Sequence, residues 1–94
     1  MEIQYSDHLL VRLKMRGIPQ ELPRIVYQKA ERRFYDTQSE LEIAVLQTKY
    51  FGKSRPIMVA YRSHPNHVLL ITIHPLKVNQ LENRIESGRW EEIS

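Results

Sequence analysis

The sequence predicts an α+β fold in which two early helices pack on a four- or five-stranded antiparallel sheet, and a short helix follows near the end. Up to Ala30 the apolar residues recur with helical spacing. From Arg32 to Ile73 the pattern is extended, and turn residues divide it into strands. After Pro75 the helical spacing returns. Helices and strands that are segregated along the chain in this way favour an α+β arrangement around one core.

Local sequence patterns predict where the N-terminal strand and the two early helices begin and end. Residues Glu2–Tyr5 alternate polar and apolar, which predicts a short opening strand. Ser6 or Asp7 is a suitable N-cap for a first helix that ends at Gly17. A second helix is expected over residues 22–30, where the prolines fall near its first turn.

Four strands and a terminal helix are expected to follow. The strands are predicted at residues 32–35, 41–50, 57–62 and 68–73, and the helix at residues 76–87. The strand at 68–73 is nearly all apolar, which is typical of a central strand covered on both faces. Strand alternation predicts that five apolar side chains face the two early helices: Ile43, Val45, Val59, Ile71 and Ile73.

Charge is distributed unevenly along the chain. The 39 residues from Ile43 to Leu81 contain five Lys or Arg and no Asp or Glu, although the net charge of the whole chain is only +3. A basic surface concentrated in the sheet region points to an anionic partner, and phosphate is the commonest one. Chance loss of acidic residues from one stretch is the alternative.

Composition excludes several classes of protein. Ninety-four residues suit a single domain, 1–94, and no apolar run approaches the length of a membrane span. The N-terminus has neither the basic nor the apolar region of a signal peptide, and the lack of cysteine fits a reducing compartment. We therefore expect a cytoplasmic protein with no membrane contact. The pair His64 and His67 supplies too few ligands for a metal site, so no metal or other cofactor is expected.

The first helix carries a short motif. Ser6, His8, Arg12 and the run 16–18 (Arg-Gly-Ile) form the pattern S-x-H-x3-R-x3-RGI. This pattern resembles a bacterial and archaeal domain-of-unknown-function family that is grouped with the BrnT and RelE/ParE toxins. The resemblance implies a RelE-like fold for the whole chain. It also implies a type II toxin that cleaves messenger RNA, acts on free RNA or ribosome-bound mRNA, and is inhibited by an antitoxin. The basic region contains neither carboxylate pairs nor thiolates that could hold an ion, so we expect the cleavage to be independent of metal.

Helical geometry places His8, Arg12 and Arg16 in one row along the first helix. Leucines border this row, so it should lie where the helix meets the sheet. A functional interpretation assigns His8 and Arg12 to catalysis and Arg16 to RNA binding. A structural interpretation is also open, in which Arg12 pairs with a carboxylate or a carbonyl group.

Strand alternation predicts a second group on the opposite, uncovered face of the sheet. Tyr50, Arg62, Thr72 and His74 would share that face, with basic residues near a strand end. Arg62 and His74 are the predicted catalytic members, and four residues are predicted to bind RNA: Lys49, Tyr50, Lys53 and Arg55. Cations and proton carriers of this kind suit cleavage by attack of a 2′-hydroxyl. A one-residue register slip would reverse the faces, and Trp90 from the tail could cover this one.

A second class of function stays open on the sequence alone. Basic residues serve binding as well as catalysis, so the chain is alternatively a non-catalytic binding module of the same fold that acts on a protein or a nucleic acid.

Overall fold

The computed structural model describes residues 1–93, which form three helices and six strands. In chain order these are β1 (Glu2–Tyr5), α1 (Asp7–Arg16), α2 (Leu22–Lys29), β2 (Arg32–Asp36), β3 (Glu42–Tyr50), β4 (Lys53–Ser63), β5 (His67–Pro75), α3 (Gln80–Glu86) and β6 (Trp90–Glu92). The strands form one sheet in the order β1-β5-β4-β3-β2-β6. No helix among these residues is long and apolar enough to cross a membrane.

The predicted antiparallel sheet of four or five strands is wrong, and with it the RelE-like fold class. The sheet has six strands within residues 1–93 and is mixed, because β1 runs parallel to β5 while the other neighbours are antiparallel. The strand β6 was not predicted. It is only three residues long and carries two glutamates, so it gives no alternating apolar pattern. The strand predicted to be central, β5, is second from an edge, and β4 and β3 occupy the middle.

Helices α1 and α2 cover one face of the sheet. Ser6 caps α1 by accepting a hydrogen bond from the Leu9 amide at 3.0 Å, and Gly17 ends the helix in the left-handed conformation, with φ 64°. Helix α1 packs on β5 and α2 packs mainly on β3, so the two helices carry the chain across the sheet from β1 toward β2. The core below them contains residues from both helices and from β3, β4 and β5: Leu9, Leu13, Ile18, Leu22, Val26, Ala44, Ile57, Val59, Tyr61, Val68, Leu70 and Ile73.

The opposite face of the sheet is covered as well, by α3 and the C-terminal segment. Its buried residues are Phe34, Ile43, Val45, Met58, Ala60, Leu76 and Trp90, with Leu81 and Ile85 of α3 packed against them. The prediction that Ile43 and Val45 face the early helices is therefore wrong. Residues 43–45 are all buried, so this part of β3 lacks the polar alternation that would identify its faces.

A β-bulge in β5 changes which residues face the core. Ala60 pairs with Thr72 while the next residue of β4, Tyr61, pairs with Leu70, so Ile71 is the extra residue. Leu70 and Ile73 consequently both belong to the core under the helices, and Ile71 is only half-buried. Thr72 and His74 lie on the other face, opposite Ala60 and Met58.

Asp36, at the end of β2, fixes the C-terminal segment. Its carboxylate accepts hydrogen bonds from the Gln38 and Ser39 amides, from the Arg89 guanidinium and from the Trp90 indole. Burial alone would raise the pKa of Asp36, but these donors together lower it to about 2. The ionised carboxylate therefore holds β6 and Trp90 against the sheet.

Candidate nucleic-acid interface

The site is built where α1 meets the part of β5 that β1 leaves uncovered. Strand β1 pairs only with residues 67–70 of β5. Beyond that point side chains replace the missing strand: the Ser6 hydroxyl donates to the Ile71 carbonyl at 3.0 Å, and Arg12 Nε donates to the Ile73 carbonyl at 2.9 Å. The bulge and the open edge therefore have local hydrogen-bond partners, and they bring α1 close to His74.

Arg12 determines the tautomer of His74. Arg12 Nη2 lies 2.7 Å from His74 Nδ1, and a guanidinium has no acceptor atoms, so Nδ1 must accept. The proton of the neutral ring is then on Nε2, which lies 3.3 Å from Thr72 Oγ1 and can donate to it. In this arrangement His74 has no free nitrogen lone pair, so it is not placed to act as a general base.

Four side chains form what we call the basic cluster: His8, Arg12, Arg16 and His74. Burial is the largest effect that lowers the pKa of His74, and the charges of Arg12, Arg16 and His8 lower it further. The two salt bridges found within residues 1–93 are Arg32–Glu92 and Arg89–Asp36, so neither involves this cluster. The arrangement concentrates positive charge without pairing it to a carboxylate, and this is what an anion site requires.

The solvent side of the basic cluster is a shallow pocket on α1. His8 and Arg16 are exposed, and Arg12 between them is half-buried. Val11 and Met15 complete the pocket, which has a volume of about 150 Å³. The exposed fractions of Val11 and Met15 are 56% and 79%, so this surface presents apolar as well as cationic groups.

The structure brings together part of the predicted site and separates the rest. His8, Arg12, Arg16 and His74 meet at the α1–β5 junction. Arg62 is on the same sheet face as Met58, which pairs with His74, but four residues further along β4, roughly 13 Å away. The predicted catalytic group of Arg62 with His74 and Arg12 is therefore not formed.

The other predicted RNA-binding residues lie at the β3–β4 hairpin. Tyr50 packs against the core below α1 and α2, so the prediction that it shares a face with His74 is wrong. Lys49 is exposed on β3. Lys53 and Arg55 line a groove with Lys77 at the start of the segment leading to α3, and Arg55 Nη2 donates to the Leu76 carbonyl at 3.3 Å. We call this the hairpin groove.

A larger cavity on the α3 face was missed at the sequence level. It has a volume of about 440 Å³, and both Thr72 and His74 are in its wall. Arg84 and Arg89 also line it. Strand alternation had placed Thr72 and His74 on this face and Trp90 as a possible cover, but nothing local in the sequence indicated that Arg84 and Arg89 would meet them around a cavity.

His64 and His67 stack in the β4–β5 hairpin with ring centroids 4.4 Å apart. Within residues 1–93, no group of three or more His, Asp or Glu side chains is arranged to hold a metal ion. Comparison of the chain with protein-family models, with curated proteins and with solved structures gave no match in any of the three. The resemblance of residues 6–18 to the toxin family therefore stays a prediction.

Proposed function

We propose that this protein binds single-stranded RNA, with backbone phosphate held at the basic cluster. One observation carries the proposal: Arg12, Arg16, His8 and His74 converge at the α1–β5 junction without a carboxylate partner among the described residues. Phosphate contacts dominate the affinity of nucleic-acid-binding proteins, and Arg is suited to them because its planar donors match phosphate oxygens. The net charge of +3 supports association with a polyanion.

Arg12 is prepared for this role by its hydrogen bonds. Its Nε is bound to the Ile73 carbonyl and one Nη to His74, so the guanidinium is fixed before a ligand arrives. A pre-oriented cation loses less conformational freedom on binding than a mobile one. Arg16 is exposed one turn further along α1 and extends the same row.

The binding test uses two single variants that each remove one positive charge from α1. Arg16→Gln changes the basic cluster, while Lys14→Gln changes an exposed residue on another side of the same helix. We expect Arg16→Gln to weaken binding of a short labelled RNA about fivefold to tenfold, or roughly 1–1.4 kcal/mol. Fluorescence anisotropy measures this. Equal weakening by the two variants would mean that the cluster has no special role.

Metal-independent RNA cleavage is a second candidate, and the exposed position of His8 beside Arg12 and Arg16 favours it. Histidine can accept a proton near neutral pH, so His8 could take the proton of a 2′-hydroxyl whose oxygen attacks the adjacent phosphorus. The bond between phosphorus and the 5′-oxygen would then break, and the released 5′-oxygen would take a proton from water, which leaves a 2′,3′-cyclic phosphate. The arginines would stabilise the negative charge that develops on the phosphate oxygens. RNA cleavage is also what the resemblance of residues 6–18 to the toxin family implies.

Mapping the ends of RNA after incubation separates the two candidates. A nuclease should leave 2′,3′-cyclic phosphate or 3′-phosphate ends, should stay active in EDTA, and should lose activity in His8→Gln. The RNA should be supplied both free and on ribosomes. Intact RNA in both reactions, with binding retained, would identify a non-catalytic binding module.

A further inference from the structure

The cavity on the α3 face has several apolar lining residues and shares His74 with the basic cluster. We call it the sheet cavity. Ile43, Met58, Ala60 and Trp90 provide apolar walls, and its volume of about 440 Å³ is within the range of small-molecule sites. Its residues belong to five different strands, to α3 and to the segments between them. Because these elements are held by sheet hydrogen bonds and by Asp36, the cavity is largely preformed.

The sheet cavity carries a positive rim. Lys77 and Arg84 line it, together with Arg89, whose guanidinium is paired with the single acidic lining residue, Asp36. Both carboxylate oxygens of Asp36 already accept hydrogen bonds within the protein. The rim therefore favours a ligand that carries negative charge beside an apolar or aromatic part.

His74 connects the sheet cavity to the basic cluster. Its Nδ1 accepts from Arg12 on the α1 side, while the same residue and Thr72 form part of the cavity wall. An anionic group at Arg12 and an uncharged group in the cavity would thus be separated by one side chain. In a nucleotide a charged phosphate and an uncharged base are neighbouring groups, so the phosphate could lie at Arg12 and the base in the cavity.

We propose that the sheet cavity binds the base of one RNA nucleotide whose phosphate lies on the basic cluster. The inference rests on the proposed function and adds a site for the base. Apolar walls accept the faces of a heterocycle, and the hydroxyls of Thr72 and Ser39 can hydrogen-bond to its edge. Proteins that recognise RNA commonly take unstacked bases from single strands in this way.

The chain contains its own reporter for this site, because Trp90 is its only tryptophan and lines the sheet cavity. The test compares two strands of six nucleotides that carry equal numbers of phosphates. One is a 2′-O-methyl RNA, which cannot be cleaved through its 2′-oxygen, and the other is the corresponding strand without bases. We expect the base-containing strand to bind about tenfold more tightly and to change the emission of Trp90. The abasic strand should bind without that change.

A cavity-filling variant provides an independent readout. Ala60→Leu adds three carbon atoms to the wall of the cavity, and it should remove the preference for bases while leaving the binding of the abasic strand unchanged. Thermal unfolding reports whether this variant folds; the comparison of strands in the parent does not depend on it. Equal affinities of the parent for the two strands, with constant Trp90 emission, would overturn the base site and leave phosphate binding intact. If neither strand binds, the proposed function itself is wrong.

Discussion

At the scale of single residues, the bulge in β5 decides which isoleucine belongs to the core. Alternation along an unbroken strand puts Ile71 and Ile73 on one face, but the extra residue at Ile71 interrupts that alternation. Ile73 is 1% exposed below α1 and α2, whereas Ile71 is half-buried and contributes its carbonyl to Ser6. Two residues that look equivalent in the sequence therefore differ in their contribution to stability.

Truncating Ile71 and Ile73 in turn gives a matched prediction about the core. Ile73→Ala should lower the free energy of unfolding by about 2–5 kcal/mol, because it leaves a cavity in the packed core. Ile71→Ala removes the same atoms outside that core and should cost roughly 1 kcal/mol. Urea denaturation followed by circular dichroism measures both. Equal losses for the two variants would contradict the position of the bulge.

The sequence predicted correctly that three side chains form a row on α1, but it did not predict correctly which side chains lie on each face of the sheet. His8, Arg12 and Arg16 lie together because helical spacing depends only on local geometry. The orientation of Ile43 and Val45 could not be read in this way, since both faces of the sheet are buried. The contact of Arg12 with His74 spans 62 residues and depends on the parallel pairing of β1 with β5. No local pattern encodes that pairing.

At the scale of elements, the junction of α1 with β5 should respond to pH through His74. The pKa of His74 is lowered in the folded protein by burial and by Arg12, Arg16 and His8. The unfolded chain therefore takes up a proton more readily than the folded one. Stability contributed by neutral His74 is full above its ordinary value of 6.5 and is lost as the pH falls below that value. Protonation would also place two donors, Nδ1 and the Arg12 guanidinium, against each other.

Replacing the imidazole of His74 tests whether its protonation lowers the stability of the protein. His74→Gln keeps an oxygen acceptor for Arg12 but has no titrating group, so its unfolding free energy should fall less than that of the parent between pH 7 and pH 5. His67→Gln removes a histidine from the β4–β5 hairpin and serves as the control. Denaturant unfolding at several pH values gives the dependence of the unfolding free energy on pH for the parent and for each variant. A parent and a His74→Gln variant with the same pH dependence would contradict the assigned neutral state of His74.

At the scale of the whole molecule, the basic residues of the acid-free stretch lie at one end of the sheet with the exception of Arg62. His74 of the basic cluster is two residues from Leu76, whose carbonyl accepts from Arg55 in the hairpin groove. Lys53 and Lys77 line that groove. Arg62 is seven residues from Arg55 along β4, roughly 23 Å away, at the opposite end of the strand. The acid-free stretch of the sequence is therefore divided between two ends of the sheet, and only one of them adjoins the basic cluster.

This division predicts which charges an RNA strand should contact. The binding constant of a single strand falls with salt in proportion to the phosphates that the protein neutralises, with a log–log slope of about −0.7 for each contact. If RNA runs from the basic cluster into the hairpin groove, Arg16→Gln and Lys53→Gln should each reduce the slope by about 0.7. Arg62→Gln changes the net charge by the same amount at the far end of β4 and should leave the slope unchanged. Anisotropy titrations over a series of salt concentrations give the slopes. Equal effects of all three variants would indicate attraction by overall charge, whereas an effect of Arg16→Gln alone would confine the RNA to the basic cluster.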